Sequence, residues 1–436
     1  MNNRSVRLGV IAGFTAFTLG LTACSGGGTP TTPGTSTAPV TIEYMHRLPD
    51  GEGMTKVADI VAKWNAANPD IQVKATKFDG KAGEMIKKLE TDSKAGAVPC
   101  LAQVGYAEVP SMYAKGLLAD VTTDAAKYAS NFSAGAIGLM TVGGVTVGLP
   151  QDSEPLVYYY NQAEFAKLGL TVPTTMDELA AVAKKAAEQG KYVVSLQPDD
   201  AQYWLSAQAA GAGASWFGAE NDKWTVNFTS PETAKVTELW QGVLDAKTAL
   251  VENRWGDGFK AALVDQTLIG TIGAAWEAPL LADDMNGSAN EGQWAVTQLP
   301  TFCDKALTGP DGGSGVAVMK GCANSAEAMK FNNWFNTQID DLATQGLVVA
   351  ATGTVKTPAA LAEFYSGQDV FAELSKANEA LNPNFSYMPT WPAVNDPMVK
   401  AATAAGDGTG SVAAIFEAAQ DASVQSLKDG GFPVAE

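Results

Sequence analysis

Apolar and polar positions change period several times along the first quarter of the chain. Val40, Ile42 and Tyr44 alternate with polar neighbours and predict a strand. Val57, Ile60, Val61 and Trp64 then recur at helical spacing until Asn68-Pro69, where the proline disfavours helical geometry for the residue before it. Residues 71–76 read as a second strand, Met85, Ile86 and Leu89 as the face of a second helix, and residues 101–104 as a third strand before a helix ending near Gly116. Such a β-α-β-α-β order predicts a parallel sheet with right-handed crossovers.

The alternation breaks at TVGGVTVGLPQ, where Gly143-Gly144 supplies the two residues that a tight hairpin turn requires. The apolar run Leu156-Val157-Tyr158-Tyr159-Tyr160 follows. A helix opens at Thr175 with Glu178 three residues on, a capping box, and carries Leu179, Val182 and Ala186 on one face. Residues 192–196 predict another strand. About 400 residues follow position 39, too many for one hydrophobic core, so two lobes are expected, the second repeating β-α-β logic without a visible repeat.

The N-terminal pattern differs from the rest. Arg4 and Arg7 precede an uncharged apolar run over residues 8–19, followed by Leu21-Thr22-Ala23-Cys24, the form of a secretory signal. Residues 8–23 fall short of the roughly 20 apolar residues that span a bilayer. The segment resembles the bacterial lipobox, which implies cleavage after residue 23 and a diacylglycerol on Cys24. Residues 25–39, SGGGTPTTPGTSTAP, carry no charge and almost no apolar surface, and read with Cys24 as a flexible tether reaching on the order of 20 Å.

A formal charge of -18 makes nucleic acid and anionic lipid poor partners. Four cysteines leave three once Cys24 is lipidated. Cys303 and Cys322 flank the glycine-rich TGPDGGSG and are the expected disulfide, with three reduced thiols as the alternative; Cys100, in VPCLAQV, reads as a buried thiol.

The order of these pieces resembles the extracellular solute-binding proteins of carbohydrate ABC transporters, the family that includes maltose-binding protein. Carrying the likeness are the lipobox, VTIEYMHRLPDGEGMTKVADIVAKWNAANPDIQVK, LAQVGYAEVPSMYAKGLLADV, VGLPQDSEPLVYYYNQAEFAKLGL with PTTMDELAAVAKKA, IGTIGAAWEAPLL and GGSGVAVMKG. The resemblance implies a two-lobe α/β fold of the type II periplasmic-binding-protein kind, each lobe a mainly parallel sheet flanked by helices, with the ligand cleft between them. It implies a first lobe of residues 40–150 plus 275–315 and a second of 151–274 plus 316–436. It implies a monomer on the extracellular face of the membrane, held only by its lipid, that delivers a sugar to a permease served by a separate ATPase. No cofactor or metal is expected.

In open α/β sheets ligands lie beyond the carboxyl ends of the strands, which selects the residues that follow strands. His46, Asp79, Gln103 and Tyr106 meet that rule, and Asp152 stands at the crossover between lobes. A saccharide offers hydroxyls that donate and accept, and a C–H face on which an aromatic ring can stack. Trp276 in GAAWEAP is the first stacking candidate, because the resemblance places it, with Glu277 beside it, in an aromatic segment that similar proteins present to the sugar; Trp391 in SYMPTWPAV with Tyr387 nearby is next. Trp204 and Trp255 are further candidates that read equally well as packing beneath loops. Gly313, within the glycine run, allows a close backbone approach.

Catalytic readings find little support: GxSxG, P-loop, HExxH and CxxC patterns are absent and the chain has a single histidine. A non-enzymatic binder is therefore expected. The alternatives are a binder of a non-sugar solute, a two-carboxylate glycosidase, or a surface adhesin.

Overall fold

The structure is a computed structural model that describes residues 39–51, 54–80, 82–220, 223–302 and 304–435. Cys24 and nearly all of the segments expected to be the signal and the tether lie outside the described residues, as does Cys303. Among the described residues no helix is long and apolar enough to cross a membrane.

Eight strands carry the architecture: β1 Val40–His46, β2 Ile71–Lys77, β3 Leu101–Gly105, β4 Gly148–Asp152, β5 Leu156–Asn161, β6 Gly270–Ala274, β7 Trp294–Gln298 and β8 Ser314–Val318. The first sheet runs β2-β1-β3-β8-β4. Its β1 pairs in parallel with β2 and β3, as the alternation of strands and helices predicts, whereas β8 is antiparallel to both β3 and β4. The second sheet places β5 between β6 and β7, antiparallel to each. The strand expected at residues 192–196 narrows to Ser195–Leu196, preceded by a single parallel bridge from Tyr192 to Leu268.

Local rules account for several elements. The Val57–Ala67 helix ends where Asn68 donates its main-chain N–H to Trp64 O, one residue before Pro69. Gly143 and Gly144 both take positive φ, 58° and 83°, which gives the turn between Thr141–Val142 and Val145–Thr146 its hairpin twist. Thr175 Oγ1 caps the Met176–Ala187 helix by accepting from Glu178 N at 3.2 Å. The Glu178 carboxylate reaches back to Thr174 N and Oγ1, each at 2.8 Å, rather than to Thr175.

Core packing shows which sheet several segments bury against. Residues 275–298 share the core of β5: Ala275, Ala278, Leu281, Trp294 and Val296 pack with Val157 and Tyr159. The segment that returns to the first sheet is β8, so only the end of the expected 275–315 stretch lies there. Residues beyond 315 also contribute to the core beneath the first sheet. Val316, Val318, Phe331 and Phe335, the last two from the Ser325–Asn336 helix, bury against Ile42 and Tyr44 of β1. Burial of each apolar face decides membership, and sequence spacing carries no record of which sheet will accept it.

The cysteine pairing is also corrected. Cys100 is bonded to Cys322, not left as a free thiol, and Cys322 is therefore not joined to Cys303. The sheet explains it. Because β3 and β8 are antiparallel neighbours with Leu101 opposite Val318, the residue before β3 meets the turn after β8, and Met319 N donates to Cys100 O at 2.9 Å.

Candidate functional site

Among the described residues three connections run side by side between the sheets. Asp152 to Pro155 leads from β4 to β5, Pro310 to Ser314 leads into β8, and a third passes Val348 and Val349. Asp311 N donates to Glu154 O and Ser153 N donates to Val348 O, both at 2.8 Å, and Pro155 bridges Pro310. Beside them lies a cavity of about 290 Å³, close to the lower end of the roughly 300–1,000 Å³ that small-molecule sites occupy. Its walls come from both halves of the chain's fold: Gln103 lies within β3, Arg47, Tyr106 and Glu108 follow first-sheet strands, Trp276 follows β6 of the second sheet, Asp200, Tyr203 and Trp255 lie in the chain between β5 and β6, and Tyr387 lies beyond β8. Asp152, Asp311, Gly313 and Ser314 of the connections complete it.

The aromatic wall is built around two indoles. Trp276, two residues past β6, stacks on Trp255 with ring centres 5.4 Å apart and planes 10° from parallel. Its Nε1 donates to Asp311 O at 2.9 Å, tying it to the second connection. Trp255 is 61% exposed, an unusual position for so large an apolar side chain.

The polar wall is a connected network. Gln103 Oε1 accepts from Arg47 N at 2.7 Å, Gln103 Nε2 donates to Ser314 Oγ at 3.0 Å, and Ser314 Oγ donates to Asp152 Oδ1. Tyr106 OH donates to Asp152 O at 2.8 Å. Burial raises the Asp152 carboxyl above its ordinary range, against hydrogen bonds from Glu154 and Ser314. Burial, then the neighbouring Asp152, pushes Glu154 well above its range. Asp311 is raised well above the carboxylate range by burial, then by Asp200 and Glu277, and Asp200 is pushed up to about 8 by burial, then by Glu277 and Asp199. Burial also raises Glu108, with Arg47 opposing. A carboxyl that keeps its proton both donates and accepts, the same bifunctional chemistry as a hydroxyl. Among the described residues no group of three or more His, Cys, Asp or Glu is arranged to hold a metal ion.

Residues 49–339 match the family model for bacterial extracellular solute-binding proteins. The chain belongs to this family. Among solved structures, this solute-binding protein is similar to the galacto-N-biose/lacto-N-biose I-binding protein of an ABC transporter from Bifidobacterium longum, determined with lacto-N-biose. The two share 51% identity over 92% of this chain and 100% of that one, with a TM-score of 0.86. It also shares its fold with an ABC-transporter-associated binding protein from B. animalis subsp. lactis in complex with β-1,6-galactobiose. That likeness has 22% identity over 91% of this chain and 100% of that one, and a TM-score of 0.72. The sugar-binding protein MalE of Xanthomonas citri matches at 16% identity, covering 90% and 98% of the two chains, with a TM-score of 0.73. No curated protein sequence matches it.

Of the residues singled out from the sequence of this solute-binding protein, Trp276, Trp255, Asp152, Gln103, Tyr106, Tyr387 and Gly313 meet at the cavity. The others do not line it. His46 continues the buried face of β1, its ring 5.5 Å from that of Tyr44, and Arg47 one residue on takes the cavity position instead. A one-residue step along a strand reverses the face. Asp79 follows the edge strand β2, far from the connections, and its side chain is 85% exposed beside Lys77. Trp204 is fully buried, its Nε1 donating to Ile272 O at 2.9 Å, while its helix neighbour Tyr203 lines the cavity. Trp391 packs beneath the site, stacked near Trp216 and Phe228 and 4.8 Å from Tyr387, which it supports from below. Glu277 is turned inward to accept from Ala274 N and from Arg254 Nε.

Glu108, Asp200, Tyr203 and Asp311 escape the sequence reading, and Arg47 enters it only as the one cation near the expected cleft. Arg47 and Glu108 follow β1 and β3 by one and three residues, and Asp311 lies inside TGPDGGSG, so the strand-end rule applied a little more widely would have reached them.

Proposed function

We propose that this solute-binding protein is the capture component of a carbohydrate ABC importer, and that its cavity takes a neutral disaccharide of the kind the 51%-identical relative binds. The single observation that carries this reading is the pairing, within one cavity, of a stacked indole wall with a network of hydroxyls, amide and buried carboxyls. Sugar C–H faces are covered by the former and sugar hydroxyls are matched by the latter. The lining comes from both sheets, so a ligand touching both favours the closed arrangement by the contacts it adds there, and the permease reads that closed form. Delivery leaves the sugar intact. With lobes divided at the three connections, closure is a hinge motion of the two sheets about them.

The same reading places the protein on the outer face of the cell membrane as a monomer, through a lipid on Cys24 and the residue 25–39 tether. Mass spectrometry of the protein extracted from membranes should find the mature chain beginning at a diacylated Cys24.

Titration calorimetry of residues 25–436 with lacto-N-biose, galacto-N-biose, lactose and maltose tests the capture function. Micromolar or tighter binding of a hexosamine-containing disaccharide, recovered uncleaved, is the expected result. Binding of none of the four, or release of monosaccharides, contradicts the proposal.

A further inference from the structure

Arg254 does not line the cavity, yet its surroundings all bear on the indole wall. Its side chain is 2% exposed. The guanidinium carbon stands 5.0 Å from the Trp255 ring centre, 6.0 Å from that of Trp276 and 4.8 Å from that of Phe259. Nε donates to the Glu277 carboxylate, and Nη1 lies 3.7 Å from Asp284 Oδ2. Asp199 accepts from the main-chain N–H groups of Arg254 and Trp255, at 2.7 and 3.2 Å.

Burying a guanidinium is costly unless opposite charge and hydrogen bonds surround it, and a planar cation over an aromatic face is held by the ring quadrupole. Here both effects act on one element. Glu277 is the residue directly after Trp276, so the Arg254–Glu277 pair ties the Trp255 loop to the backbone that carries Trp276. A tryptophan as exposed as Trp255 otherwise keeps its rotamer freedom, and fixing it on binding would weaken affinity.

We propose that Arg254 is a positioning residue that locks Trp255 parallel to Trp276 before ligand arrives, so that the saccharide meets a preformed stacking wall. The inference rests on the sugar-binding reading for its effect on affinity, but not for its effect on the indole pair.

The test uses near-ultraviolet circular dichroism and calorimetry with lacto-N-biose on Arg254→Lys and on the double variant Arg254→Leu/Glu277→Leu. The part of the wild-type aromatic signal that Trp255→Phe removes defines the signature of the pair. Lysine keeps the charge but lacks the planar fork, so Arg254→Lys should lose that signature and about tenfold in affinity, as for one desolvated cation–π contact. The double variant leaves neither charge of the pair buried alone and loses besides the Ala274 N–H bond that Glu277 accepts, so it should fold with a modestly lowered melting temperature while regaining neither signature nor affinity; it decides the matter if Arg254→Lys does not fold. Retention of the signature or of wild-type affinity in either folded variant overturns the proposal. Should the wild type bind no saccharide, the sugar reading fails, and the signature alone decides whether Arg254 holds the pair.

Discussion

The ring of Tyr106 occupies the space that a side chain on Gly313 would need: a Cβ built there stands 2.8 Å from Tyr106 Cε2, and the residue has a φ of +84°. Both the close approach and the left-handed backbone require glycine. Gly313→Ala should therefore cost about 1–3 kcal/mol of stability from backbone strain alone. It should also displace the Tyr106 hydroxyl from Asp152 O and weaken ligand binding. Urea denaturation and calorimetry on the same preparation check both, and a variant equal to wild type in each would show that the ring moves aside freely.

Trp276 and Trp391 are both tryptophans next to a proline or a helix start, but they predict opposite phenotypes. Trp276→Ala removes half of the stacking wall and the bond to Asp311 O, so affinity should fall by 2 kcal/mol or more, roughly the loss of a binding hot spot, with a small change in melting. Trp391→Ala opens a void under Tyr387 and should cost about 3–5 kcal/mol of stability. Thermal melts beside calorimetry separate the two.

The bond between Cys100 and Cys322 spans 222 positions of sequence. Replacing both with serine should destabilise the fold by about 2–4 kcal/mol, mainly by freeing the unfolded chain. Sugar affinity should hardly change, because the bond is at the end of β3 opposite to Gly105 and the cavity. Alkylation in denaturant without reductant should spare Cys100 and Cys322, which peptide mapping would reveal.

Proton linkage should act in two directions. Asp152, Glu154, Asp200 and Asp311 have carboxyls raised chiefly by burial, so the folded chain binds their protons more readily than the unfolded chain. Their contribution to stability grows as pH falls through the folded values and is complete below the unfolded value of about 4. With Asp200 at about 8, stability should rise between about pH 9 and 6.5. His46 opposes this at lower pH. Burial pushes its imidazole from 6.5 down to about 4, so its contribution is full above 6.5 and is lost as pH falls towards 4. The loss amounts to something on the order of 3 kcal/mol. Chemical denaturation of wild type and His46→Asn from pH 9 to 4 should show the gap between them narrowing only below 6.5.

Strand ends make part of the candidate cavity's lining legible in the sequence. Gln103, Tyr106 and Asp152 were reachable because a ligand beside an open sheet must sit beyond the carboxyl edges, and that edge can be read from alternation. Trp276 is reached through the resemblance, by its place in GAAWEAP. His46 and Trp204 stand one residue from the cavity-lining Arg47 and Tyr203, because a side chain's direction depends on register and packing that spacing alone does not hold.

The sequence by itself determined the alternation of strands and helices, the hairpin at Gly143-Gly144, the acidic charge and the supply of aromatic and carboxyl side chains, since these follow from local sterics and composition. Only the tertiary structure decided that residues 275–298 join the second core, that β8 returns to the first, that Cys100 rather than Cys303 meets Cys322, and that Asp311 and Asp200 face the cavity with Trp255. Each of those depends on contacts between residues distant in sequence, where the burial of one apolar face against another selects among pairings that local propensity leaves equal.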